Sequence, residues 1–153
     1  VGLPAWRDLA LDVTVPGSPW PAHHLCDTGV PHLVLPVDDL QEVPVREWGA
    51  RLRRHDRFAP AGVNVNWVAP DGAPDRFALR TYERGVEDET LACGTGASAA
   101  AVILCHLDRA RSPVTIRTRG GDDLVIVVDR DRRALSLRGP AVISFEGEVT
   151  TDD

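Results

Sequence analysis

The sequence concentrates its chemistry in residues 82–98, YERGVEDETLACGTGAS. Cys93 stands directly before Gly94-Thr95-Gly96, a turn that opens an apolar run with the pattern of a helix. The first turn of a helix has N–H groups without intrahelical partners and a partial positive charge. We therefore expect the Cys93 thiol to have a lowered pKa. The N–H groups of Gly94 and Thr95 are expected to bind an anion such as a carboxylate.

Two further cysteines, Cys26 and Cys105, accompany Cys93. An odd number of cysteines at uneven spacing is not typical of a disulfide framework, and no Cys/His spacing predicts a metal site. Cys105 falls inside the apolar run and Cys26 in a Pro-bounded strand, so we expect both to fill space in the core. Free thiols of this kind favour a reducing, cytoplasmic location.

The element that must position Cys93 is the run at residues 97–107, which is apolar nearly all round. A helix without a polar face must be wrapped by other structure. Residues 45–55 have the spacing of a second, amphipathic helix. Strand patterns cover residues 9–15, 32–37, 62–69, 76–83, 114–118, 124–128, 135–137 and 142–149. The expected fold class is α+β, with a curved, mostly antiparallel sheet wrapped around the buried helix and the second helix outside.

Length and composition exclude several classes of protein. The chain has 153 residues, 43% of them hydrophobic and 26% charged, which suits one folded domain rather than a disordered segment. Its 23 acidic and 17 basic residues give a net charge of −6, so a general nucleic-acid partner is not expected. No apolar run approaches the ~18 residues of a membrane helix, so no membrane association is expected.

Three ordered segments resemble the diaminopimelate epimerase family. ERGVEDETLACGTGASAAA (residues 83–101) is similar to the signature of the family's second lobe. DTGVPHLV (27–34) resembles the T-G-N-P-H motif, and FAPAGVNVNW (58–67) resembles the F-P-x-x-V-N segment. The resemblance implies an isomerase of lysine and cell-wall precursor synthesis that inverts one α-carbon of diaminopimelate without pyridoxal phosphate or metal. One cysteine thiolate removes the α-proton, and a second thiol on the opposite face returns one.

The resemblance assigns a role to each matching residue beside the reacting carbon. Cys93 is the expected catalytic acid/base. Gly94 and Thr95 are expected to donate N–H groups to the reacting carboxylate, and His32 to support the site near the thiol. Taken alone, His32 is equally compatible with a core histidine whose hydrogen bonds are satisfied.

Three further residues are assigned to the charged ends of the substrate. The resemblance implies that Glu83 and Arg84 contact those ends, Arg84 through a forked pairing with a carboxylate. Asn64 is expected to hydrogen-bond the distal amino-acid end. Taken alone, Glu83 and Arg84 also fit a solvated pair at a strand end, and Asn64 fits a turn residue.

The sequence departs from the family pattern at two points. Val30 stands where the family has the Asn of T-G-N-P-H, and a valine cannot hydrogen-bond a substrate. The C-G-N-G motif of the first lobe is absent, and the chain has no initiator Met. We therefore expect a piece of a longer protein, inactive without its first lobe. Its expected parts are a crossover segment (1–20), the catalytic C-terminal lobe (21–140), and a terminal strand with an acidic tail (141–153), either solvated or packed on the first lobe.

Three alternatives remain open from the sequence. Val30 favours a related racemase for proline or hydroxyproline. A hydrolase with Cys93 as nucleophile would need His32 or His106 as its base. A non-catalytic lobe would keep only the carboxylate-binding N–H groups. The expected partners are the amino-acid substrate and the first lobe, and a homodimer is compatible with the apolar face that an isolated lobe exposes.

Overall fold

A computed structural model describes residues 1–143 and 146–148 of the chain. Two helices and ten strands lie in this part of the chain. In chain order they are β1 (Gly2–Leu3), β2 (Arg7–Ala10), β3 (His24–Asp27), β4 (Pro31–Pro36), α1 (Val45–Arg53), β5 (Asn64–Pro70), β6 (Arg76–Glu83), β7 (Asp88–Thr90), α2 (Gly94–His106), β8 (Val114–Arg117), β9 (Asp123–Asp129) and β10 (Ala134–Arg138). A single 3-10 turn, Asp56–Phe58, follows α1. Neither helix is long and apolar enough to cross a membrane.

The strands form one mixed sheet in the order β1-β10-β9-β8-β6-β5-β4-β3-β2, with β7 added beside β6. Most neighbours are antiparallel, and β8–β9 and β9–β10 are antiparallel hairpins. Two pairs, β4–β5 and β6–β8, are parallel. The mixed sheet with two helices agrees with the predicted α+β class.

Helix α2 is the more apolar of the two helices, and its residues from Gly96 to Cys105 are all buried. It begins at Gly94, directly after Cys93, as the Gly-Thr-Gly turn predicts. Its small residues allow close packing, and it contacts β3, β4, β5, β8, β9 and β10. The chemistry at its first turn therefore lies against the sheet and not in open solvent.

The two helices pack against opposite faces of the central strands. Side chains alternate along a strand, so neighbouring residues point to opposite faces. Val34 and Val68 belong to the core cluster around α2. Leu33 and Trp67, one residue before each, belong to the cluster around α1. The same alternation of side chains identifies the polar residues of β4, β5 and β6 that face α2.

Several predicted boundaries differ from the structure. The strand predicted at 9–15 is β2, which begins at Arg7 and ends at Ala10. The chain turns there because Asp12 adopts a positive φ of 53° and its N–H bonds Nδ1 of His24. The three-residue strand β7 was not predicted. Of the strand predicted at 142–149, residues 142–143 and 146–148 have no regular structure, and the others lie outside the described residues.

Gly49 of α1 lies against Tyr82 of β6, where a Cβ atom would overlap the Cβ and Cγ atoms of the tyrosine. We predict that Gly49→Ala destabilises the chain by about 1–2 kcal/mol, since overpacking outweighs the gain of about 1 kcal/mol in helix propensity. The free energy of unfolding in urea measures the change. Gly2→Ala is the matched control, because no atom lies within 4 Å of that Cβ position. Equal stabilities of both variants and wild type would contradict the contact.

Candidate active site

Cys93 lies at the N-terminal end of α2, where it occupies the N-cap position with extended backbone (φ −138°, ψ 103°). Its side chain makes no capping hydrogen bond to the helix. The first helical hydrogen bond runs from the N–H of Ala97 to the carbonyl of Cys93, at 2.9 Å. The N–H groups of Gly94, Thr95 and Gly96 precede that bond, as the orphan donors of a helix start do. This end of α2 can therefore bind an anionic group.

The Cys93 thiol is buried, with 8% of the residue exposed, and its Sγ lies 3.6 Å from Oγ1 of Thr95. Burial raises the pKa of Cys93 above its ordinary value. The hydroxyl of Thr95 and the N–H groups of Gly96 and Thr95 act in the opposite direction but do not cancel burial. The predicted lowering of the Cys93 pKa is therefore wrong for this chain by itself, because the cost of desolvating a thiolate exceeds the stabilisation from the helix start.

The polar side chains that face α2 come from three adjacent strands. His32 of β4 is paired with Asn64 of β5, and Asn66 of β5 with Thr81 of β6. The alternation along β6 places Glu83 on the same face as Thr81. The negative charge of the Glu83 carboxylate also raises the pKa of Cys93. The fold therefore brings His32, Asn64 and Glu83 to the side of the sheet on which Cys93 lies.

Asn64 is 4% exposed and connects two strand ends. Its Nδ2 donates to the carbonyl of Pro31 at 3.3 Å. Its Oδ1 accepts from the backbone N–H of Arg84 at 2.8 Å. Asn64 thus fixes the backbone of Arg84, a role that the sequence did not indicate.

The Arg84 guanidinium donates to the carbonyls of Ala61 and Gly62, at 3.2 Å and 3.4 Å. It forms no ion pair with a carboxylate of the described residues. Arg84 therefore does not form the solvated ion pair with Glu83 that the sequence also allowed. A guanidinium held by neutral carbonyls keeps its charge available for an anion.

Ion pairs hold the turn that follows Arg84. Arg80 binds both carboxylate oxygens of Glu89, at 2.6 Å and 2.8 Å. Glu87 accepts from Arg53 at 2.7 Å and from Arg54 at 3.1 Å. These contacts anchor the turn to α1 and β6, so that Glu83 and Arg84 are positioned by rigid elements on both sides.

A threonine of the 27–34 segment contacts the start of α2. Thr28 is fully buried, and its hydroxyl donates to the carbonyl of Thr95 at 2.8 Å. The carbonyl of Val30 accepts the N–H of Thr28 at 3.3 Å within the same turn. The sequence singled out this segment but did not predict the contact, because it joins residues 67 positions apart.

His32 has no exposed surface, and burial lowers its pKa to about 4. Its Nδ1 contacts Nδ2 of Asn66 at 3.1 Å. A histidine with so low a pKa is a poor base at neutral pH. His106 lies at the other end of α2, about 20 Å from Cys93 at about 1.5 Å per residue. The hydrolase interpretation therefore has no suitable base in either predicted position.

The other two cysteines are core residues, as expected. Cys26 is 1% exposed, and burial raises its pKa to about 12. Cys105 is 5% exposed near the end of α2, and burial raises its pKa as well. Within the described residues, no three His, Cys, Asp or Glu side chains are grouped to hold a metal ion.

Fold and site together define a class: an α+β protein with a buried thiol beside free N–H groups at a helix start. The family model of diaminopimelate epimerase matches residues 24–144. Diaminopimelate epimerase of Aquifex aeolicus is 44% identical over 128 residues, which are 82% of this chain and 45% of the relative. That of Chlamydia trachomatis serovar L2 is 39% identical over 148 residues, 95% and 53% of the two chains. The chain therefore belongs to the diaminopimelate epimerase family.

The chain spans about half the length of these relatives. A solved phenazine biosynthesis protein of the PhzF family from Bacillus anthracis aligns with a TM-score of 0.49 at 16% identity, covering 82% of this chain and 38% of that one. The family assignment rests on the sequence matches.

The Thr95→Val variant tests whether the Thr95 hydroxyl stabilises the Cys93 thiolate. The Thr95 hydroxyl lowers the pKa of Cys93, so its removal should raise that pKa further and slow alkylation of Cys93 at any given pH. Peptide-resolved iodoacetamide labelling between pH 7 and pH 10 measures the rate, with Thr115→Val on β8 as the matched control. Unchanged or faster labelling in Thr95→Val would show that the hydroxyl does not stabilise the thiolate.

His32 makes stability depend on pH. Its pKa is about 4 in the folded chain and 6.5 ordinarily, so the unfolded chain binds more protons between these values. The free energy of unfolding should therefore fall as the pH falls from 6.5 to 4, by about 1.4 kcal/mol per pH unit from this group. His32→Gln should remove that contribution. Urea denaturation across this range measures it, and parallel curves for the two proteins would contradict it.

Proposed function

We propose that the chain is the second lobe of a two-cysteine diaminopimelate epimerase that interconverts the LL and meso forms without a cofactor. In this proposal the sheet curves around α2, and a first lobe faces the end of α2 at which Cys93 lies. The observation that carries the proposal is the position of Cys93. It places a buried thiol beside N–H groups that have no intrahelical partner, at the end of α2 that packs against the sheet.

The reaction needs help with charge, because an α-proton is very weakly acidic. As that proton leaves, negative charge builds on the substrate carboxylate. The N–H groups of Gly94 and Thr95 would stabilise this charge in a site that excludes water. Arg84 would pair with a carboxylate, and Glu83 and Asn64 would contact the charged ends of the substrate. His32 would support the thiol from β4.

Inversion requires one thiolate and one thiol on opposite faces of the carbon. One removes the proton as the other delivers its own, so the two cysteines exchange protonation states in each turnover. Burial favours the neutral form of Cys93 in this chain. A thiolate on the first lobe would complement it, and coupled titration would set the pair in opposite states. One thiol cannot serve both faces, so this lobe alone should be inactive.

The test uses the product of the complete reading frame that contains this chain. We expect that protein to exchange the α-proton of LL-diaminopimelate in D₂O and to form the meso isomer, followed by NMR. Cys93→Ala should abolish both, because the remaining thiol has no partner. Cys105→Ala, at the far end of α2, is the matched control and should retain both activities.

Three outcomes would overturn the proposal. Epimerisation by the 153-residue chain alone, or by the Cys93→Ala protein, would show that the two-thiol mechanism is wrong. Binding of diaminopimelate without exchange in the folded, reduced protein would indicate a non-catalytic lobe. Exchange of proline or hydroxyproline in place of diaminopimelate would favour the related racemase, an alternative that rests on the apolar Val30 in the 27–34 segment.

A further inference from the structure

Asn66 is the most thoroughly bonded polar side chain near Cys93, and the family resemblance gave it no role. It has no exposed surface. Its Nδ2 donates to the carbonyl of Leu33 at 3.0 Å and contacts Nδ1 of His32 at 3.1 Å. Its Oδ1 accepts from the hydroxyl of Thr81 at 2.9 Å. Its side chain thus bonds residues on β4 and β6.

These bonds determine the position of the proton on His32. A carbonyl oxygen can only accept, so the atom of Asn66 next to Leu33 must be the amide nitrogen. The same nitrogen faces His32, whose Nδ1 must therefore be the acceptor. A neutral imidazole has one proton, and it must then be on Nε2.

The Nε2 atom of His32 is buried and has no hydrogen-bond partner among the described residues. Leaving a buried donor unpaired is costly, so a partner is expected in the working state. His32 borders a cavity of about 300 Å³ that Cys26, Arg57 and Phe58 also line. This cavity adjoins the residue whose Nε2 atom lacks a partner.

Asn66 also contacts the first turn of α2. A Cβ atom on Gly96 would lie 2.4 Å from Oδ1 of Asn66 and 3.2 Å from Sγ of Cys93. Only glycine fits between the amide and the thiol. The side chain that orients His32 therefore also lies against the helix turn that presents Cys93.

We propose that Asn66 is a positioning residue that holds His32 as a neutral Nε2–H donor. In this role His32 donates a hydrogen bond to an oxygen or sulfur acceptor that enters the site with substrate or with a first lobe. It does not act as a base. The catalytic part of this inference rests on the proposed function, whereas the proton position does not.

The proton position is tested directly on the 153-residue chain. Long-range ¹H–¹⁵N NMR distinguishes protonated from unprotonated imidazole nitrogens, and the His32→Gln spectrum assigns the signals. At pH 7 we expect an unprotonated Nδ1 and a protonated Nε2 on His32. A protonated Nδ1, or averaged signals from two tautomers, would overturn the proposal.

Asn66→Asp replaces the donor with an acceptor of the same shape. We expect the proton of His32 to move to Nδ1, or both nitrogens to be protonated. Thr81→Val is the matched control, because it removes the bond to Oδ1 but leaves the contact with His32, and it should keep the wild-type tautomer. A wild-type tautomer in Asn66→Asp would overturn the proposal. Should that variant fail to fold, the wild-type spectrum still decides the proton position.

Kinetics of the full-length protein separate positioning from structure. Asn66→Asp should lower kcat about tenfold or more with little change in KM, and it should add an ionisation to the pH profile of kcat. An unchanged kcat and pH profile would overturn the positioning role even if the tautomer is as expected. If the wild-type protein epimerises nothing, the proposed function fails, whereas the NMR result on Asn66 stands separately.

Discussion

The rest of the molecule depends on the burial of α2. A helix made of small and aliphatic residues has no face that water can solvate, so the sheet has to cover it. Its first turn is half-buried at Gly94 and Thr95 and buried from Gly96 onward. The Thr28 hydroxyl donates to the carbonyl of Thr95 in this turn, and Oδ1 of Asn66 lies against Gly96. The same burial gives Cys93 its chemical state, because the protein environment disfavours a negative charge on sulfur more than the helix start favours it.

The alternation of side chains along the strands gives the sheet two faces of different polarity. The face toward α1 is almost entirely apolar and is built around Trp67 and Leu33. The face toward α2 is apolar in its middle, but it has amide, hydroxyl and imidazole groups where β4, β5 and β6 meet the start of the helix. A shift of one residue in the pairing of any of these strands would move its apolar side chains to the wrong face of the sheet. The packing of the apolar face against α1 therefore also fixes the positions of the polar side chains on the opposite face.

Local patterns in the sequence predicted both helices and most strands, and they placed Cys93 at the start of α2. They did not predict features whose positions depend on residues far away in the sequence. The end of β2 is set by a hydrogen bond from the backbone N–H of Asp12 to Nδ1 of His24, and β7 forms because it pairs with the end of β6. In the site, Asn66 and Thr28 act across strands or over 67 positions, and no local pattern contains that information. The direction of the pKa shift of Cys93 could not be predicted from the sequence, because it depends on how deeply the thiol is buried in the folded chain.

The neutral state of Cys93 protects its sulfur from oxidation. Oxidants, electrophiles and soft metal ions react with thiolates far faster than with thiols. A sulfur that is 8% exposed and mostly protonated is therefore slow to form sulfenic acid or a mixed disulfide. The chain can therefore be synthesised and can fold with this sulfur protected from oxidation.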